Sequence, residues 1–196
     1  MNYDPGQHHR RSIRLKGHDY AQAGMYFVTI CTEGRACLFG EMAGDKVRLN
    51  DAGRIVEEEW VKTDDAMRPR VVLDQFVVMP NHIHGIILLM DGRGTLPRAP
   101  TQDRPTPTPD RFGKPAPDSI STVVRLFKAV TSKRINKNRG TPVAVWQRNY
   151  YEHVIRDGDS LDRIRQYTAD NPARWLFDRE NPQAVCPEEE NALAHI

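Results

Sequence analysis

The stretch Met79-Pro80-Asn81-His82-Ile83-His84-Gly85-Ile86-Ile87 sets two histidines one residue apart inside an apolar run. Side chains alternate across a strand with period two, so His82 and His84 share one face while Ile83 takes the other. Two imidazoles on one face of a rigid strand can hold the same metal ion. Val71 to Met79 reads as a preceding strand and Pro80-Asn81 as the tight turn between them, which makes the region an expected antiparallel hairpin.

Working outward, Met25 to Thr32 (MYFVTICT) is β-branched and aromatic and is expected to be a buried strand. Lys46 to Leu49 reads as a short strand. Asn50 or Asp51 caps a helix expected to run to about Met67, with Ile55, Val56, Trp60 and Val61 as its apolar positions and Pro69 behind it. Asp91 to Asp118 carries seven of the chain's 14 prolines and reads as a flexible insertion within the domain. Ser119 or Ser121 then caps a helix to about Asn138, whose inner stripe is Val124, Phe127, Val130, Thr131 and Ile135. Val143 to Trp146 reads as a strand, Gln147 to Tyr151 as a loop and Asp159 to Asp170 as a last helix ended by Pro172. Helices alternating with a small antiparallel sheet point to an α+β sandwich of ferredoxin-like, RRM-like type. The expected organisation is a basic arm at 1–17, one domain at 18–177 and an acidic, peripheral tail at 178–196.

Net charge is only +2 and the pI about 8.5, so the total does not announce a nucleic-acid binder; the distribution carries that argument. Arg10, Arg11 and Arg14 make the N-terminal arm basic. On the helix after Ser119, the residues Arg125, Lys128, Lys133, Arg134 and Lys137 occur with no acid between Arg125 and Arg139. Solvated helix faces normally mix signs, so this one, with Arg148 beyond it, reads as a phosphate-contacting surface. Cys31, Cys37 and Cys186 are odd in number and form no CxxC pair, which argues against a disulfide framework. No apolar run approaches the roughly 18 residues of a membrane span, and the start lacks an apolar signal core. A cytoplasmic, nucleoid-associated protein is the expectation.

Two histidines leave an ion under-coordinated, so a third ligand is needed. In Gln166-Tyr167-Thr168-Ala169-Asp170-Asn171-Pro172, Tyr167 and Asn171 lie four apart on one helix face. Asn171 offers an amide oxygen to a metal, with the Tyr167 hydroxyl about one turn away. Without the two histidines, a core tyrosine and a helix-capping asparagine would be the favoured reading of the same residues. Tyr150 and Tyr151 are rival tyrosines without such an i+4 partner and read as a DNA-facing loop or a packing corner.

MPNHIHGII resembles the HUH motif of single-tyrosine HUH transposases, where U is a bulky apolar residue. WQRNYYEHVIRD followed by YTADNP is similar to the pattern of one branch, the REP-associated tyrosine transposases, and the opening RRSIRLKGHDYAQAGMYFVTICT resembles the start of such proteins. The likeness spans about Arg10 to Trp175 with its blocks in order. It implies that His82 and His84 are metal ligands, Tyr167 the nucleophile and Asn171 a third polar ligand. Thr168 departs from the isoleucine that follows the nucleophile in relatives. The resemblance further implies a single-stranded DNA endonuclease and strand transferase that forms a 5′-phosphotyrosine on hairpin or palindromic repeats, with Mg²⁺ or Mn²⁺ as cofactor and either a homodimer or a monomer as the working form. A non-catalytic single-strand-binding module of ferredoxin-like fold is the alternative. A zinc hydrolase ranks last, since neither HExxH nor a second HxH occurs.

Overall fold

A four-stranded antiparallel sheet is the frame on which everything else is hung. The computed structural model describes residues 21–64, 70–91 and 119–184. In chain order these form β1 (Gly24–Cys31), a single 3₁₀ turn (Glu33–Arg35), β2 (Gly40–Ala43), β3 (Lys46–Leu49), α1 (Asp51–Val61), β4 (Val71–Val78), β5 (His82–Leu89), α2 (Ile120–Arg139), β6 (Tyr151–Ile155), α3 (Gly158–Asp170) and a second 3₁₀ turn (Trp175–Phe177). The main sheet has the order β4-β5-β1-β6 with every neighbour antiparallel, while β2 and β3 pair as a separate hairpin. Three helices pack on the sheet, as the α+β sandwich reading requires.

The two faces of the sheet are buried by different helices. On one, Tyr26, Val28 and Ile30 of β1 and Ile83, Ile87 and Leu89 of β5 pack under Val56 and Trp60 of α1 and Val123, Val124 and Phe127 of α2. On the other, Phe27, Ile86 and Leu88 pack with Ile155 of β6 and with Leu161, Ile164 and Tyr167 of α3. The caps follow local chemistry. Asn50 accepts from the Gly53 amide at the start of α1, Ser119 from the Thr122 amide at the start of α2, and Asp157 from the Ser160 amide at the start of α3.

Four local expectations differ from the structure. Helix α1 ends at Val61 rather than near Met67. Val130 is 42% exposed, because the buried stripe of α2 runs through Ile120, Val123, Val124, Phe127, Thr131 and Ile135 instead. Val143 to Trp146 is no strand: it makes one bridge, between Thr32 and Trp146. The Trp146 indole inserts into the core and donates to Thr131 Oγ1 at 2.9 Å, and the paired strand β6 comes five residues later. Lastly, residues 178–184 do not form a peripheral tail. They fold back, with Asp178 and Asn181 buried and the Glu180 carbonyl accepting from Asn81 at 2.7 Å. The basic arm, most of the proline-rich insertion and residues 185–196 lie outside the described residues.

Candidate metal centre and its tyrosine

Strand alternation sets the site. His82, His84, Ile86 and Leu88 of β5 point to the α3 side, opposite Cys31, Thr29, Phe27 and Met25 of β1. Directly behind the histidines, Gly85 faces the other way, where the Trp60 indole lies against the strand. A Cβ at Gly85 would sit 2.2 Å from Trp60 Cζ2, so this position excludes any side chain.

The outer nitrogen of each imidazole is fixed by a neighbour. Asn81 Nδ2 donates to the carbonyls of Arg35 at 3.0 Å and Glu180 at 2.7 Å. Both partners are acceptors, so the amide nitrogen must face them and Asn81 Oδ1 must face His82 Nδ1, 2.8 Å away. That oxygen carries no proton, so His82 Nδ1 carries the hydrogen and Nε2 presents a lone pair. The turn that delivers the Arg35 carbonyl is sharp: Gly34 and Arg35 both take left-handed backbone, with φ of 61° and 55°. His84 is held at Nδ1 by Thr29 Oγ1 at 2.8 Å, which orients its Nε2 into the same space. Partners of this kind, on the far nitrogen, are what set the ligating tautomer in histidine metal sites.

Burial is the largest influence on both imidazoles. It pushes His82 down to about 3, against the opposing pull of the neighbouring Asn171 side chain and with the Arg35 charge adding to the effect of burial. His84 is held well below the ordinary range by burial and then by the charge of His82. Both are therefore neutral at pH 7, the state a metal needs.

Helix α3 and the turn after it close the space. The Tyr167 hydroxyl lies 3.4 Å from His84 Nε2. Its ring contacts His84 edge-on at 5.3 Å and Phe27 at 6.1 Å. Asn171 caps α3 and is 2% exposed, with its side chain against His82. Trp175 stacks over His82 at 6.1 Å. Asp178 then reaches inward, placing Oδ2 3.6 Å from His82 Nε2. Burial raises the Tyr167 phenol well above its ordinary value, and the charges of Asp178 and Glu180 raise it further.

Three buried polar atoms in this space have no hydrogen-bond partner: His82 Nε2, Asn171 Oδ1 and Asp178 Oδ2. Orphaned buried groups are costly, and three aimed into one space call for a common partner. Donor atoms of His82, His84 and Asp178 all lie within 4.8 Å of one another. Ligands about 2.0–2.2 Å from a shared ion are at most about 4.4 Å apart, so only a small inward movement separates this arrangement from coordination. The donor set of neutral imidazoles with amide and carboxylate oxygens fits a divalent cation.

No protein-family model matches the chain. An uncharacterized protein of Haemophilus influenzae (strain ATCC 51907 / DSM 11121 / KW20 / Rd) is 42% identical over 177 residues, spanning 90% of this chain and 96% of that one. The chain belongs to the same family as that Haemophilus influenzae protein. Among solved structures, a REP-associated tyrosine transposase bound to a REP hairpin superposes with a TM-score of 0.51 at 20% identity, over 86% of this chain and 73% of that chain. The chain has the REP-associated tyrosine transposase fold, as its sequence motifs implied.

Within that fold the basic residues divide into two groups. Arg125, Lys133, Lys137 and Arg148 are exposed. Lys128 and Arg134 are engaged by the protein itself. Lys128 donates to the carbonyls of Gln147 at 2.9 Å and Asn149 at 2.8 Å, and burial lowers its ammonium to about 8. Arg134 pairs with Glu58 at 2.9 Å and Glu59 at 2.5 Å, so acids of α1 supply the negative sign that the α2 sequence lacks. Arg10, Arg11 and Arg14 lie outside the described residues.

Sequence reasoning missed Asp178, Asn81, Thr29 and Trp175. Asn81 carried a signal, since it precedes His82 directly. Thr29 and Asp178 carried none, because strand pairing and the fold-back after α3 bring them in.

Proposed function

We propose that this chain is a metal-dependent single-stranded DNA endonuclease and strand transferase of the transposase type. Tyr167 is its nucleophile, and His82, His84, Asn171 and Asp178 are its cation ligands. The observation that carries the reading is the convergence of three orphaned buried donors, two of them on different elements from the HxH strand, beside a tyrosine hydroxyl.

Asn81 keeps the His82 Nε2 lone pair available, and Thr29, bonded at Nδ1, turns the His84 Nε2 into the same space. A divalent cation bound there supplies Lewis-acid stabilisation of the charge that builds on phosphoryl oxygens. The mixed oxygen and imidazole ligands suit Mn²⁺ or Mg²⁺. Tyr167 Oη attacks phosphorus; the new bond is a 5′-phosphotyrosine, the bond to the 3′ oxygen breaks, the phenol proton is released and the departing oxygen takes up a proton to give a free 3′-OH. One ester replaces another, so a 3′-OH can reverse the step without ATP. Without a cation, burial and two neighbouring carboxylates keep the phenol protonated and unreactive. Hairpin or palindromic repeat DNA is the substrate class, by analogy with the hairpin-bound relative in fold.

The test is incubation of the protein with end-labelled single-stranded hairpin DNA and Mn²⁺ or Mg²⁺, resolved on a denaturing gel. A covalent adduct that requires metal and disappears in Tyr167→Phe is expected. Binding that survives EDTA, with no adduct on any repeat substrate, would replace this reading with a non-catalytic binding module.

A further inference from the structure

We infer that the Asp74–Arg165 ion pair is a positioning clamp: it fixes the roll of α3 about its own axis, and so the aim of the Tyr167 hydroxyl at the metal centre. The inference rests on the strand-breaking role given to Tyr167 above and adds the two residues that hold it on target.

The clamp begins with an irregularity in β4. Leu73 lies opposite Ile87 and Phe76 opposite Gly85, so Asp74 and Gln75 together face the single residue Ile86. Two residues against one make a β-bulge, and bulges re-aim side chains. This one lets Leu73 and Phe76, three apart, both pack into the core under α1 and α2. Asp74 between them reaches α3 on the other face. Its partner level on β5, Ile86, is two residues from His84 on the same face, about 6.8 Å along the strand.

Asp74 meets Arg165 through both carboxylate oxygens. Arg165 Nε donates to Oδ1 at 3.0 Å, and Nη2 donates to Oδ2 at 2.6 Å. The Gln75 amide also donates to Oδ1, at 2.6 Å, so the bulge holds its own carboxylate. Foremost among these, the Arg165 hydrogen bonds keep the Asp74 carboxyl below its ordinary range against the opposing effect of burial. A two-point contact between planar groups fixes angle as well as distance.

That angular restraint is what the rest of α3 lacks. Leu161 and Ile164 meet the sheet through apolar contacts, which attract without direction. Thr168 turns its hydroxyl inward, onto the Ile164 carbonyl of its own helix. Among the described residues, the polar side-chain contacts between α3 and the sheet are the Arg165 fork and the Tyr167 hydroxyl itself. Successive helix residues turn about 100°, so Arg165 and Tyr167 flank the buried Ile164 and Thr168 from opposite sides. A roll of about 10° moves a side-chain tip about 6 Å from the axis by about 1 Å. Misplacement of that size can cost about 100-fold in rate. Asp74 and Arg165 thus fix the orientation in which Tyr167 Oη stands 3.4 Å from His84 Nε2.

The experiment uses the full chain and end-labelled single-stranded hairpin DNA. Single-turnover adduct formation is timed at saturating DNA and Mn²⁺, and the affinities for DNA and for Mn²⁺ are measured separately. Arg165→Lys keeps the charge and cannot form the fork. It is expected to slow adduct formation about 10–100-fold, nearly as much as Arg165→Met, with both affinities within about twofold of wild type. Asp74→Asn should give a comparable loss, and little further loss in the Arg165→Met background, because either change breaks the same contact. A wild-type rate in Arg165→Lys or in Arg165→Met would overturn the clamp. So would additive losses from Asp74→Asn and Arg165→Met, or a matching fall in DNA affinity, which would make Arg165 a phosphate contact instead. The aim of the ring is also read without DNA, by fluorine NMR of the chain with 3-fluorotyrosine in place of Tyr167. Its resonance should shift in Arg165→Lys and in Arg165→Met; a resonance that stays put in both would overturn the clamp. A wild type that forms no adduct, with a fluorine resonance that moves in both variants, would sink the enzyme reading alone and leave the positioning role standing.

Discussion

At the residue scale, the site depends on hydrogen bonds that fix which nitrogen each histidine presents. Asn81 is the clearest case, because its amide spans two carbonyls and the imidazole of His82. Asn81→Ala should lower Mn²⁺ affinity by about 10–100-fold, read by calorimetric titration. Unchanged affinity would mean that His82 finds its tautomer without help. The same burial that keeps the imidazoles neutral makes the metal-free protein acid-sensitive. In the unfolded chain both protonate as pH falls through about 6.5, whereas folded His82 resists protonation until about 3 and folded His84 also stays neutral well below the ordinary range. The unfolded state binds more protons in that window. Stability in EDTA is therefore complete above about pH 6.5 and falls below it, by up to about 1.4 kcal/mol per pH unit for each imidazole. Urea titrations between about pH 7.5 and about pH 5 check this; a flat profile contradicts it.

At the element scale, β5 serves two packing surfaces at once, and Gly85 is where they compete. A methyl group there would collide with the Trp60 indole. Gly85→Ala should cost about 1–3 kcal/mol by overpacking. Combining it with Trp60→Leu should cost less than the sum of the two, because the clash partner is gone. Thermal or denaturant unfolding of the four proteins reads the coupling, and strict additivity would place the strain elsewhere. Much of this element was legible in advance: alternation put His82 and His84 on one face, and the capping candidates Asn50 or Asp51 and Ser119 or Ser121 announced α1 and α2, with Asn50 and Ser119 serving as the caps. Strand β6 was not. Val143-Ala144-Val145-Trp146 has strand composition, yet Trp146 is drawn into the core by Thr131 and Phe39, and pairing with β1 begins only at Tyr151. Tertiary packing overrode local preference there. The neutralised cations of α2 were hidden for a related reason: the partners of Arg134 are Glu58 and Glu59, far away in sequence.

At the scale of the whole molecule, the candidate metal centre is assembled from β1, β5, α3 and the segment after α3. No local pattern could have revealed this, since strand order and the return of residues 178–184 are long-range events. Asp178, flanked by Phe177 and Arg179, reads locally as solvated charge, but the fold-back buries it against His82. A chain ending at Phe177 should accordingly lose metal-dependent stabilisation. At a Mn²⁺ concentration about 100 times the dissociation constant, the full chain should gain about 2.7 kcal/mol, and the shortened one much less at the same concentration. Equal gains would remove Asp178 from the ligand set. His82 with His84, and Tyr167 with Asn171, were by contrast legible as two pairs, because strand and helix periodicities put each pair on a common face; that the two pairs form one site was implied by the family resemblance and not by periodicity.

The most direct measurement is pulsed electron paramagnetic resonance of the full chain loaded with one equivalent of Mn²⁺. The account predicts modulation from two imidazole nitrogens, falling to one in either His82→Ala or His84→Ala. A spectrum without nitrogen coupling, or one that both substitutions leave unchanged, would contradict the claim that these two histidines share a cation.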